Sequence, residues 1–215
     1  MTTELNDLRY IAVEGVIGVG KTSLTKRLAD TLSARILLEE FEENPFLADF
    51  YKDKRAYAFQ AQMFFLLSRY KQQEVVVQYD LFQQQLVADY MFNKDRIFAM
   101  QTLNEKEMSL YNMLATILEK RIVKPDLAIY LQATTDRLMS NIAKRARSYE
   151  LDMPRDYIDA LNIQYDDYFR NYDDTPRLII NTDNLDFVNN DNHFQKIITE
   201  IANHRTGRKR VTIDI

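Results

Sequence analysis

The sequence contains no cysteine among its 215 residues. That excludes a disulfide, a thiolate metal site and a cysteine nucleophile, and it agrees with a reducing compartment. No apolar run approaches the roughly 18 residues that a membrane span requires. The first seven residues carry neither a basic stretch nor an apolar one, so no signal peptide is expected there. An excess of positive charge is missing too. Lys and Arg number 28 against 32 Asp and Glu, a net charge of −4, which argues against broad nucleic-acid binding. The expected protein is soluble and cytoplasmic, without membrane or nucleic-acid partners. Glycine and proline are scarce, four of each. With no repeat and no low-complexity linker, residues 1–215 read as a single domain large enough for a full core.

The few glycines and prolines punctuate the chain. Gly15, Gly18 and Gly20 fall within six residues, and glycine is needed where backbone takes unusual dihedrals or closely approaches a ligand. Asn44 followed by Pro45 reads as a helix start, and Pro154 opens another helical pattern. Pro125 and Pro176 precede the apolar runs 127–131 and 178–180, which read as buried strands. Further strands are expected at 10–13, 36–38 and 86–88, with Gln83 to Gln85 leading into the last. Helices are expected over 21–32, 44–51, 53–78, 105–123, 135–145, 155–172 and 192–203. Five strands alternating with helices predict an α/β fold with a parallel sheet covered on both faces. Ligands of such sheets bind beyond the carboxyl ends of the strands. The basic segment 205–210, in the tail 205–215, reads as a solvated end.

Gly15-Val16-Ile17-Gly18-Val19-Gly20-Lys21-Thr22 fits G-x-x-x-x-G-K-[ST] between a strand and a helix. The chemistry explains the residue types. Amides freed by glycine wrap a β-phosphate, and the helix N-terminus adds partial positive charge. Lys21 is expected to bridge the β- and γ-phosphates, and Thr22 to hold Mg2+. ATP and Mg2+ follow as donor and cofactor. The strand ending at Leu38 runs into Glu39-Glu40-Phe41-Glu42-Glu43. A carboxylate there, beside the phosphate loop, suits the acceptance of a proton from an attacking hydroxyl. Spacing alone does not choose among the four glutamates, and a solvated turn is the competing reading.

The stretches EEFEENPFLADFY and FQAQMFFLLSRYKQQ, with PDLAIYL, the arginines near 144–150 and Asp186-Phe187, resemble the deoxynucleoside kinase family, especially its bacterial deoxyadenosine and deoxycytidine kinases. The similarity runs from Tyr10 to about Val188. It implies the P-loop kinase fold with an arginine-containing lid at about 144–151, and phosphoryl transfer from ATP to the 5′-hydroxyl of a deoxynucleoside. Carried over by position, the resemblance makes Glu39 the general base and Tyr51 a ligand of the sugar 3′-hydroxyl, shared with Glu150. Gln62, Arg69 and Asp95 would recognise the base. An amide suits that task because it offers both donor and acceptor. Arg145 and Arg147 would neutralise the moving phosphoryl group. Asp89 would help hold magnesium, and Asp186 and Phe187 would flank the donor adenine. A homodimer is also implied. Taken singly, Gln62 and Arg69 read as surface residues of a helix, Tyr51 as packing and Phe187 as core; their joint order sets them apart.

Two cations of that pattern are missing. Tyr90 follows Asp89 where the family carries arginine, and Asn141 stands where many relatives have a further lid arginine. Ala146 replaces a glycine between the lid arginines. Lys94 and Arg96 are candidates to restore charge near Asp89. Two other functions compete. A nucleoside monophosphate kinase would need a cationic acceptor pocket, against the acidic run at 39–43. A nucleotide-binding protein without turnover is the reading that Tyr90 and Asn141 would favour.

Overall fold

A computed structural model describes residues 5, 7–40, 43–81, 85–147, 150 and 153–213, with the backbone alone at 75 and 78–81. Phe41 and Glu42 of the acidic run, Gln83 and Gln84, Ser148, Tyr149 and Leu151 of the lid, and the last two residues lie outside the described residues.

Strand β1 (Tyr10–Gly15) is buried along its whole length. It leads through the glycine loop into helix α1 (Lys21–Leu32), which returns to β2 (Arg35–Leu37). A short α2 (Leu47–Lys52) and a long α3 (Lys54–Leu81) precede β3 (Leu86–Ala88). Helices α4 (Lys94–Thr102) and α5 (Glu105–Glu119) follow, then β4 (Leu127–Gln132), α6 (Thr135–Arg145), α7 (Arg155–Asn171), β5 (Arg177–Asn181), α8 (Asp191–Ala202) and β6 (Arg208–Thr212). The sheet order is β2-β3-β1-β4-β5-β6, and every pairing is parallel. β1 and β4 lie at the centre with Ala12 opposite Ala128. Helices cover both faces, so these strands read as nearly unbroken apolar runs.

The sheet has six strands, not the five expected. β6 pairs with β5 from Arg177↔Arg208 to Asn181↔Thr212, so residues 208–212 of the tail, expected as a solvated end, form an edge strand. Its sequence, RKRVT, hides it because edge strands tolerate charge. Those charges are engaged: Arg208 pairs with Asp173, Lys209 with Glu200 at 2.7 Å, and Arg210 donates to Gln132 Oε1 at 2.6 Å.

The other departures are local. α2 begins three residues later than Asn44-Pro45 implied. The Asn44 side chain accepts from Phe46 N at 3.0 Å and donates to Ala61 O at 3.1 Å, tying the loop to α3 instead of capping a helix. α5 stops at Glu119, short of 123. Helix α4 was not expected, and it carries two of the site's charged residues. The carboxyl ends of β1, β2 and β3 converge on one edge of the sheet, where the glycine loop lies.

Candidate active site

The loop geometry explains its glycines. Gly18 and Gly20 have φ of 88° and 101°, a region that residues with a Cβ avoid. A Cβ at Gly18 would lie 2.8 Å from Leu138 O, and one at Gly20 would lie 2.8 Å from Phe187 Cζ. Gly15 ends β1 against Leu131 of β4. Val16 and Val19 are buried, and Ile17 packs against the same core, so their side chains anchor the loop. No acidic residue occupies the first turn of α1 and no side chain caps it. That end therefore offers free N–H groups and the positive end of the helix dipole.

Lys21 Nζ donates to Gly15 O at 2.7 Å and Val16 O at 3.2 Å. Burial first, and then the positive charge of Lys94, lower its pKa to about 8. Thr22 Oγ1 donates to Asp89 Oδ2 at 2.6 Å. The other oxygen of Asp89 accepts from Glu39 N at 2.8 Å, so one carboxylate links the loop, β3 and the end of β2. A hydroxyl and a carboxylate are hard oxygen donors that suit Mg2+, which takes few protein ligands and completes its octahedron with phosphates and water. Among the described residues no cluster of three or more His, Asp or Glu forms a fuller metal cage.

A cleft opens beside the loop, lined among others by Lys21, Thr22, Glu39, Tyr51, Gln62 and Arg69. Glu39 lines it, whereas Glu40 is exposed. Arg69 Nη2 pairs with one Glu39 oxygen and Lys94 Nζ with the other. Burial alone would raise the Glu39 pKa, but the Lys94 ammonium and then Arg69 hold it well below the usual carboxylate range. Arg69 also pairs through Nη1 with Asp95.

Gln62 and Arg69 are buried, at 2% and 3% exposure, not the surface residues that either alone would imply. Gln62 Nε2 donates to Thr102 Oγ1 at 3.3 Å, while Gln62 Oε1 and Asp95 Oδ2 are buried with no hydrogen-bond partner among the described residues. Both residues line the cleft. Tyr51 lines the same cleft, its ring packed edge-on against Phe50 with centroids 5.5 Å apart. Glu150 is buried and accepts from Arg145 Nη2 at 2.5 and 2.6 Å, with Arg147 Nη1 at 3.6 Å. The described lid residues are thus held by a carboxylate that itself lines the cleft.

A second cleft, of about 1780 Å³, lies across the loop and is lined by residues 18–23, Arg137, Asn141, Asp186 and Phe187, among others. Asp186 Oδ1 accepts from Asn189 N at 3.0 Å. Phe187 is buried against Gly20 and also belongs to the core. Arg27 fastens this segment by donating to Phe187 O at 2.7 Å.

The departures from the expected pattern have definite places. Tyr90 is fully buried and donates to Gln72 Oε1. Asn141 Nδ2 donates to Gly18 O at 2.9 Å, joining α6 to the phosphate loop. Ala146 takes φ of 50° at the end of α6, the conformation that glycine there would adopt freely. Of the two candidate replacement cations, Lys94 reaches Glu39, whereas Arg96 pairs with Glu119 at 3.5 Å.

Sequence reasoning missed Glu14. It is buried, and it accepts from Met91 N at 2.6 Å and Gly15 N at 3.2 Å. Burial raises its pKa, against the charges of Lys94 and Lys21. The available signal was a lone acid inside the apolar run YIAVEG.

Among the described residues no helix is long and apolar enough to cross a membrane. The deoxynucleoside kinase family model matches residues 11–205. The chain is 33% identical to the deoxyguanosine kinase of Bacillus subtilis, covering 92% of this chain and 98% of the relative. It is 30% identical to the deoxyadenosine/deoxycytidine kinase of the same organism, covering 89% and 91%. The solved structure of deoxyadenosine kinase from M. mycoides with bound dCTP superimposes with a TM-score of 0.75 at 26% identity, over 89% of this chain and 98% of that one. The chain belongs to the deoxynucleoside kinase family, ATP-dependent phosphotransferases that act on deoxynucleosides.

Proposed function

We propose that this kinase transfers the γ-phosphoryl group of ATP, with Mg2+, to the 5′-hydroxyl of deoxyadenosine, deoxycytidine or deoxyguanosine, as in nucleotide salvage. The observation that carries this reading is the pair of buried acceptors, Gln62 Oε1 and Asp95 Oδ2, unpartnered among the described residues, on side chains that line the cleft beside the phosphate loop. Adenine, cytosine and guanine each present an amino group with two donor hydrogens to such a pair of acceptors; thymine presents only its N3–H. Unsatisfied buried acceptors cost about 1–3 kcal/mol each, and a base that satisfies them recovers that energy.

The residues divide the work. The loop amides and Lys21 hold the β- and γ-phosphates of ATP. Thr22 and Asp89 would hold magnesium, whose charge offsets that of the phosphates. Tyr51 and Glu150 take the 3′-hydroxyl. Glu39 accepts a hydrogen bond from the 5′-hydroxyl and, as the 5′-oxygen bonds to the γ-phosphorus, receives its proton. The bond from phosphorus to the bridging oxygen breaks and ADP leaves. A carboxylate held by two cations is a weak base, which fits a loose transition state in which positioning matters more than proton abstraction. Arg145 and Arg147 would turn from Glu150 towards the transferring group, and Asp186 and Phe187 would flank the adenine of ATP.

An apolar stripe supports the homodimer. Leu110, Met113, Leu114 and Ile117 are exposed on α5, with Leu67 exposed on α3, the kind of surface that a second copy covers. A cytoplasmic setting fits the absence of cysteine. The test is ADP release from purified protein with each deoxynucleoside, thymidine and each monophosphate. Turnover confined to the amino-bearing deoxynucleosides is expected; turnover with monophosphates alone, or thymidine as the best acceptor, would overturn it.

A further inference from the structure

Lys94 opens helix α4 and is only 5% exposed. Both features disfavour a lysine. Burial penalises an ammonium, and the first turn of a helix repels positive charge. No side chain caps that end of α4 to soften the second effect. The long stem reaches past Phe98 and sets Nζ on Glu39. Glu39 after β2, Glu14 at the end of β1 and Lys21 opening α1 face Lys94, and Arg69 from α3 and Asp89 after β3 share its cleft and bond the same Glu39. An ammonium set against both burial and the helix dipole, with Glu39 as its ion-pair partner, is placed for that partner.

The geometry points to Lys94 as a positioning residue for phosphoryl transfer: with Arg69 on the opposite oxygen, it fixes the plane of the Glu39 carboxylate so that one lone pair faces the 5′-hydroxyl. Each carboxylate oxygen has two lone pairs, so a cation on each still leaves sites for the alcohol. Arg69 alone would pin a single oxygen and leave the carboxylate free to turn about its last bond. Loss of an oriented group costs far more in turnover than in binding when the contact matures only in the transition state. This inference rests on Glu39 being the group that engages the 5′-hydroxyl.

The test is a double-mutant cycle on the full chain, with kcat and the deoxynucleoside KM measured separately and thermal unfolding as the check on folding. Lys94→Met keeps the stem and removes the charge; it should lower kcat at least tenfold and change KM less than threefold. Lys94→Arg, which can still reach Glu39, should recover most of kcat. In a Glu39→Gln background, Lys94→Met should cost less than threefold further, because residues acting as one unit are not additive. Multiplicative losses would refute positioning through Glu39 while leaving Glu39 as the base. Full kcat in Glu39→Gln alone would instead remove the reading on which the inference rests. Loss of kcat in Lys94→Met and Lys94→Arg alike, in step with a fall in melting temperature, would make Lys94 a structural charge and overturn the inference.

Discussion

Replacing Gln62 with methionine should make the free protein more stable and the enzyme worse. Gln62 is 2% exposed, its Oε1 has no partner among the described residues, and its Nε2 makes one long bond to Thr102. Thr102 keeps its own bond to Phe98 O at 2.8 Å whatever stands at 62. The carbonyl is therefore a net cost in the free enzyme of about 1–3 kcal/mol. Methionine is unbranched and similar in volume, so it fills the site with little strain. For a chain of this length each kcal/mol moves the melting temperature by about 2–4 °C, which predicts a rise of roughly 2–12 °C.

In the complex the sign reverses. Losing an amide that pairs with the base should cost about 2–4 kcal/mol of transition-state binding, roughly 30- to 900-fold in kcat/KM for the deoxynucleoside. Gln62 does not line the cleft across the phosphate loop, so the KM for ATP should stay within twofold. Thermal unfolding with and without deoxynucleoside, beside coupled ADP release, measures all three quantities. The deoxynucleoside should raise the melting temperature of the native enzyme more than that of Gln62→Met. A variant that is less stable and retains its kcat/KM would refute the view that this amide is held unsatisfied for the base.

Lys21→Ala should abolish ADP release with melting unchanged within a few degrees, because among the described residues the ammonium hydrogen-bonds two loop carbonyls, at 2.7 and 3.2 Å; undiminished turnover would show that this loop is not the donor site. Glu39→Gln should reduce kcat far more than Glu40→Gln, since Glu40 is exposed; the reverse order would move the base by one residue. The ion pairs of Glu39 lower its folded pKa below the ordinary 4.5. The unfolded chain therefore binds the proton first as pH falls, and the contribution of Glu39 to stability is full above about pH 4.5 and declines below it. Urea unfolding of native protein against Glu39→Gln should show their difference shrinking from pH 4.5 downwards; a constant difference would refute the pairing. Ile117→Lys together with Met113→Lys should shift a dimer to monomer in analytical ultracentrifugation, since these side chains are 59% and 62% exposed; an unchanged dimer would place the interface elsewhere.

The central sheet and the phosphate loop were legible because each is written in local pattern. β1 and β4 are apolar runs of strand length, and the glycines sit where φ is positive. β6 was not, because an edge strand that opens with three successive positive charges looks like a tail. Helix α4 was hidden for a related reason. Its polar residues Lys94 and Asp95 turn inward to the cleft, so its pattern does not separate a polar outer face from an apolar inner one. The family resemblance singled out Glu39, Gln62, Arg69 and Asp95, but only the fold shows that Arg69 ties Glu39 to Asp95 and that Gln62 is buried with an unpartnered acceptor among the described residues. Lys94 was one of two candidates for a missing charge, and three-dimensional reach decided between it and Arg96.

That network also separates an alcohol acceptor from a phosphate acceptor. Arg69 is shared by Glu39 and Asp95, Lys94 is paired with Glu39, and Arg145 and Arg147 are paired with Glu150. Lys21 alone among these cations has its hydrogen bonds on backbone carbonyls, and those carbonyls belong to the phosphate loop. A monophosphate acceptor would bring two further negative charges against Glu39 and would have to take Arg69 or Lys94 from it. Breaking one buried pair costs about 3–5 kcal/mol when the remaining charge stays uncompensated. A neutral 5′-hydroxyl asks for no such exchange and needs only the free lone pairs of Glu39. The lid differs, because the Arg145 side chain is 36% exposed and can leave Glu150 at lower cost. Fixed, paired cations at the acceptor and releasable ones at the lid match a reaction in which negative charge has to be met only at the transferring phosphoryl group.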